Sequence, residues 1–162
     1  MQLKNILPHL REDARMFDAE FYARPGHLIA RTARMMARLG DERLRPLGFS
    51  TSQLPVLGTL KDGAARSQKD LAQWAKIEQS SMAQMLARME RDGLVARTPD
   101  PDDKRSSLIS LTETALNRLP ALHGVLAKGN ADALAGLSAE DVAMLSQFLQ
   151  KVIANLEKLA EA

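Results

Sequence analysis

The side chains best suited to recognition chemistry lie close together. Gln79, Ser80, Ser81 and Gln84 are short polar donors and acceptors; Arg88 and Arg91 follow, and Asp103, Lys104 and Arg105 crowd a turn rich in proline and aspartate. Such a set suits hydrogen bonding to base edges and phosphates. Glutamine matches the adenine edge, arginine matches guanine or phosphate, and serine lets a helix approach closely. Lys104 and Arg105 can reach a phosphate or a narrow minor groove, and Asp103, two positions before Arg105, is placed to orient its guanidinium. Ser67, at the start of an upstream segment, adds one more hydroxyl as a candidate DNA contact. Covalent chemistry has no comparable set. His9, His27 and His123 are far apart, and no H-E-x-x-H, G-x-S-x-G, glycine-rich phosphate loop or paired-carboxylate signature accompanies them. The sequence therefore predicts no enzyme, no cofactor and no metal site.

These residues require particular elements to position them. Ser67 with Asp70 reads as a helix start, and Leu71, Trp74 and Ala75 mark an apolar face, which predicts a helix from about Ser67 to Ala75. After a break at Lys76 and Ile77, Met82, Met85, Leu86 and Met89 form a helical stripe that Gly93 closes, predicting a second helix from about Glu78 to Asp92. The polar candidates occupy its other face. Leu94 to Thr98 and Ser107 to Leu111 read as two strands, separated by a loop that can continue neither. Two helices, a tight turn and a charged hairpin in that order describe a winged helix-turn-helix, a reader of duplex DNA.

Composition agrees without deciding the matter. A chain of 162 residues with 45% hydrophobic content suffices for one integrated domain. Net charge is only +2, and eight basic residues face seven acidic ones between Arg66 and Arg105. The case for DNA rests on placement, with Arg88, Arg91, Arg97, Lys104 and Arg105 on the docking elements. The absence of cysteine rules out disulfides, thiolate metal sites and thiol redox sensing. No apolar run approaches a membrane span, and no secretory segment is evident, so a cytoplasmic protein is expected.

The run QSSMAQMLARMERDGLVARTPDPDDKRSSLISLT resembles the recognition helix and wing of the MarR family of bacterial transcription regulators, down to GLV after the helix and D-x-R in the wing. The upstream TSQLPVLGTL resembles that family's second helix. The resemblance covers about Gly26 to the C-terminus. It implies a homodimer with interleaved N- and C-terminal helices on a palindromic operator, and a small aromatic or phenolic anion that releases a repressor by shifting the spacing of its lobes. Arg88 and Arg97 match positions where related regulators contact an anionic ligand, and His27 lies near the start of a helix where such a pocket is expected. Met35, Met36, Leu39, Phe49, Leu54 and Trp74 are candidate walls.

The flanks predict the remaining helices. From Pro25 an amphipathic segment ends near Leu47; Ser50 with Gln53 opens a helix to about Lys61, with Pro55 one turn in at the cost of a hydrogen bond. Thr112 caps a long helix that Pro120, Gly124 and Gly129 should weaken or bend. After Gly136, Ser138 with Asp141 starts a last helix in which Val142, Leu145, Leu149, Val152, Leu156 and Leu159 repeat at spacings of three and four. That seam suggests a partner helix, the alternative being that it covers the chain's own core. Leu3, Ile6, Leu7, Leu10, Met16, Phe17 and Phe21 suggest an added N-terminal helix. The expected architecture is mostly α with a small β-hairpin wing: dimerisation helices over 1–47, the winged lobe over 48–111 and further dimerisation helices over 112–162. Two other functions fit the sequence, a DNA-binding factor without a ligand and a helical protein-interaction module.

Overall fold

The computed structural model describes residues 19–103 and 106–160. The predicted contribution of Leu3 through Phe17, and the positions of Lys104 and Arg105, lie outside the described residues. Helices are numbered here from the first described one. A short α1 (Ala19–Ala23) precedes the long α2 (Pro25–Leu44), which passes through a 3-10 turn at Arg45–Leu47. A second 3-10 turn (Thr51–Gln53) leads into α3 (Leu54–Leu60), then β1 (Arg66–Ser67), α4 (Gln68–Ala75), α5 (Gln79–Arg91), β2 (Val95–Pro99), β3 (Ser107–Leu111), α6 (Glu113–Ala133) and α7 (Ala139–Ala160).

The wing is a three-stranded antiparallel sheet in the order β1-β3-β2, where the sequence predicts a two-stranded hairpin. Val95 pairs with Leu111 and Pro99 with Ser107, while Arg66 and Ser67 pair with Ile109 and Leu108. Two residues carry no readable alternation, so β1 has no signal in the sequence. Its pairing fixes the start of α4 to the base of the wing.

Local chemistry sets the helix ends. Ser50 and Gln53 form the expected capping box, but it opens the 3-10 turn and α3 begins only at Leu54. Pro55 therefore occupies one of the first two helical positions, where its missing N–H has no partner to lose, and the expected hydrogen-bond cost does not arise. Thr112 caps α6 by accepting from the Ala115 N–H at 3.2 Å. The same hydroxyl donates to the Gly93 carbonyl at 2.7 Å, tying α6 to the end of α5. α6 runs on as one helix through Pro120, Gly124 and Gly129.

One core unites these parts. Leu44 from α2, Leu57 and Leu60 from α3, Leu71 from α4, Met82, Leu86 and Met89 from α5, Ile109 from β3, and Ala115 and Leu122 from α6 are buried together. The heptad residues of α7 do not join it. Leu145, Leu149, Val152, Leu156 and Leu159 stay exposed, so the stripe does not cover the chain's own core. The apolar residues Leu28, Ile29, Met35, Met36 and Leu39 of α2 are exposed too. No helix among the described residues is long and apolar enough to cross a membrane.

Candidate nucleic-acid interface

The recognition surface starts from α4 and the turn after it. Ser67 caps α4 by accepting from the Asp70 N–H at 3.1 Å, and its hydroxyl donates to the Asp70 carboxylate at 2.7 Å. The hydroxyl proton is therefore engaged within the chain. Leu71 and Ala72 face the core with Ala75 beside them, whereas Trp74 is 74% exposed. That corrects both its expected place on the apolar face and its candidacy as a pocket wall. The periodicity included Trp74 because it lies three residues from Leu71, but the buried stripe runs through Ala72.

The helix closes in a left-handed turn. Lys76 (φ 51°) donates its N–H to the Gln73 carbonyl, and the Ile77 N–H bonds to the Ala72 carbonyl at 3.0 Å. Glycine most often fills that position. α5 begins three residues later and buries Met82, Met85, Leu86 and Met89, while Gln79, Ser80, Ser81, Gln84, Arg88 and Arg91 stay exposed, as the stripe predicts. At its end, Gly93 (φ 71°) bonds to the Glu90 carbonyl and Leu94 to the Met89 carbonyl, a turn that leads directly into β2.

The wing extends from the same face. Asp100 donates its backbone N–H to the Ser106 carbonyl at 3.2 Å, and the Ser106 N–H reaches the Asp103 carbonyl at 2.9 Å, narrowing the loop below its tip. A polar cleft of about 590 Å³ runs along the base of the wing, lined by Ser67, Lys69, Asp70, Gln79, Arg97, Asp100 and Asp103 among others. Ser67, Gln79 and Asp103 thus meet in one depression, and Arg97 joins them. Arg97 donates to Glu90 at 2.9 Å, an ion pair between β2 and α5. The acid is a glutamate on the reading helix.

Arg88 lies in a separate crevice of about 360 Å³ with Arg45, Ser50, Ser52, Gln53, Met85 and Asp92. His27 is elsewhere, with its ring 4.1 Å from Phe21 and 5.9 Å from Tyr22. A third cavity takes in walls that the sequence names. A crevice of about 480 Å³ between α2 and α6 is lined by Met36, Leu39, Leu54, Val125, Leu126 and Gly129, with Arg43 and Asp132 among its polar residues. Three of the six candidate walls line it, Met36, Leu39 and Leu54; Phe49 is buried in the core, and Met35 is exposed outside the lining. Arg43 pairs with Asp132 at 2.8 Å, and Lys128 bonds to the other oxygen of that carboxylate at 2.9 Å. Asp132 is held below the usual carboxylate range, by the Lys128 hydrogen bond first and then by Arg43. Two cations share one anion there, leaving a local charge of about +1. The pairing of Arg43 with Asp132 across 89 positions has no local sequence signal, so the charged side of the crevice is what sequence reasoning missed.

A model of the MarR family matches residues 47–106, the stretch that holds α3 to β2 and the wing loop. Over that stretch the chain is similar to the MarR family of transcription regulators. Its fold superposes on a cysteine-to-serine mutant of MarR from E. coli complexed with operator DNA, at 29% identity over 78% of this chain and 91% of that one, with a TM-score of 0.72. The PcaV transcriptional regulator from Streptomyces coelicolor matches at 26% identity over 84% of this chain and 99% of that one, also with a TM-score of 0.72. A probable transcriptional regulator from Pseudomonas aeruginosa, 23% identical over 82% and 98% of the two chains, shares the fold with a TM-score of 0.74. That match and the likeness to MarR on operator DNA support a DNA-binding transcription regulator rather than an enzyme. Its mostly helical architecture with a small antiparallel sheet is the winged-helix fold of that family.

Proposed function

We propose that the chain works as a homodimeric repressor that reads a palindromic operator and is released by a small aromatic or phenolic anion. The observation that carries the dimer is the unpartnered apolar surface of the arms: Leu145, Leu149 and Val152 on α7, and Leu28, Met35, Met36 and Leu39 on α2. A chain alone leaves these in water, and a second copy related by a two-fold axis covers both sets at once. Two lobes so related would read half-sites whose centres are about 10 base pairs, or a multiple, apart. Within each lobe Gln79, Ser80, Ser81 and Gln84 read base edges, Arg88 and Ser67 contact the backbone, and Lys104 and Arg105 probe from the wing, with Asp103 orienting Arg105.

The ligand reading is supported by the crevice between α2 and α6. Its volume of about 480 Å³ suits a small organic ligand, its walls are apolar, and the excess cation at Arg43 and Lys128 favours a carboxylate or phenolate. Arg88 and Arg97, outside the crevice, are proposed as positions where a ligand anion and a phosphate compete; His27, packed against Phe21, has no part in the crevice. A ligand seated between α2 and α6 releases DNA only if it binds the mismatched lobe spacing more tightly, with a coupling of about 1 to 3 kcal/mol.

Fluorescence anisotropy on the DNA flanking its own gene, at two salt concentrations and with or without salicylate, tests the reading, alongside the solution mass. A dimer whose binding weakens steeply with salt and is released by salicylate is expected. Binding that ignores salicylate removes that anion as the inducer. A monomer, or no salt-dependent binding, overturns the dimeric regulator.

A further inference from the structure

None of the side chains of α7 is buried, and its apolar face awaits a second chain. One polar contact nevertheless joins it to the winged lobe. Lys76 donates its ammonium to Glu157, across 81 positions of sequence. Among the described residues, this is the one ion pair or side-chain hydrogen bond that α7 makes beyond itself and its Ser138 cap. Between Ala143 and Ala160, Glu157 is the least exposed residue.

The other end of the contact is equally distinctive. Lys76 is the only non-glycine residue with positive φ among the described residues, at a turn position where glycine would adopt the same backbone with less strain. Lysine brings to that position a side chain long enough to reach the arm. The turn is also where α4 hands over to α5: Glu78 stands at the N-cap position without a side-chain bond and Gln79 begins the reading helix.

We propose that Lys76 and Glu157 are positioning residues for DNA reading: their ion pair ties the turn of the helix-turn-helix to the C-terminal arm and sets the angle at which α5 meets the groove. This rests on the dimeric reading above. A displacement of α7 reaches the start of α5 through this tie without crossing the core. When the tie is lost, the spread of distances between the two reading helices widens. Affinity for a fixed half-site spacing then falls with the fraction of molecules that match it.

The test uses the full chain and a duplex that the wild-type protein selects from a randomised library. Glu157→Gln is expected to weaken binding about three- to tenfold, the scale of one exposed ion pair lost in each of two lobes. It does so although it removes a negative charge from a protein that binds a polyanion. The salt slope stays unchanged, and the charge-swapped K76E/E157K double variant recovers most of the affinity lost in K76E alone. Spin labels on Ala87→Cys, in this otherwise cysteine-free chain, should report a broader distance distribution in the Glu157→Gln dimer. Unchanged or tighter binding by Glu157→Gln overturns the proposal. So does a Lys76→Gln variant whose salt slope drops by about two, one for each subunit, which would make Lys76 a phosphate contact. Wild-type protein that is monomeric or selects no duplex overturns the dimeric reading itself, and that outcome is visible before any variant is made.

Discussion

Met82, Leu86 and Met89 of α5 are fully enclosed, whereas Leu145, Leu149 and Val152 of α7, apolar residues at the same helical spacing, retain 36 to 39% of their surface in water. Both stripes look alike in sequence. They differ in what surrounds them: α5 lies beneath α4 and beside β2, while α7 has no extensive contact with any other element of its chain. A helix gains most of its stability from the packing of its apolar face. The lobe therefore has an internal source of stability that α7 lacks within its own chain.

Substitutions of similar type should separate the two regions. Leu86→Ala opens a cavity in the enclosed core and is expected to cost about 2 to 5 kcal/mol, read as a lower urea midpoint at every protein concentration. Leu149→Asp with Val152→Asp places charges in the arm seam. This pair should yield a monomer by light scattering, abolish the concentration dependence of the melting temperature, and leave a cooperative transition for the lobe. If the arm variant instead destroyed the lobe's transition, the two regions would be a single cooperative unit and the contrast would fail.

Legibility in the sequence follows the same division. The elements of the lobe could be read because its periodicities are strong and its ends carry local signals: Ser67, Thr112 and Gly93 each do what their residue types predict. β1 could not be read, since two residues have no period. Trp74 was misplaced because spacing alone does not say which edge of an apolar stripe meets the core. The polar side chains of α5 were legible as an exposed face. The charged side of the crevice was not, since Arg43 and Asp132 converge only through the packing of α2 on α6, and neither was the tie between Lys76 and Glu157. Contacts made between distant segments have no local trace.

The junction of arm and lobe offers a finer test. A Cβ on Gly40 would sit 2.5 Å from Thr51 Cγ2, and Thr51 cannot easily yield, because its N–H and hydroxyl both bond to Asp41, at 2.7 and 2.8 Å. Gly40→Ala is therefore expected to destabilise by about 1 to 3 kcal/mol, although alanine is the better helix former. Gly58 in α3 has nothing within 4 Å of the same position, and Gly58→Ala should stabilise by about 0.5 to 1 kcal/mol. Opposite signs in chemical denaturation would localise the close approach of α2 to the lobe. Equal signs would mean that the approach is looser than 2.5 Å implies.

The smallest effect concerns the same junction and its dependence on pH. The Thr51 backbone N–H, then its hydroxyl, hold the Asp41 carboxyl below its ordinary range. A carboxylate with a lowered folded-state pKa stabilises the fold above its unfolded-state pKa, and that contribution disappears as pH falls through the folded-state value. From neutral pH down to the ordinary carboxylate range, the melting temperature of the wild-type protein should thus owe a constant increment to Asp41. Asp41→Asn removes the increment, so the variant should melt slightly lower at neutral pH. The two curves should converge in stronger acid, where Asp41 is protonated in both folded and unfolded chains. Asp132 and Asp141 are held low as well, but by partners within the arms, Lys128 with Arg43 and the Ser138 cap. Their acid loss persists in the Asp41→Asn background, so the difference between the two melting curves reports the arm–lobe junction alone. Parallel curves across the acid range would show that the Thr51 bonds do not favour the ionised carboxylate.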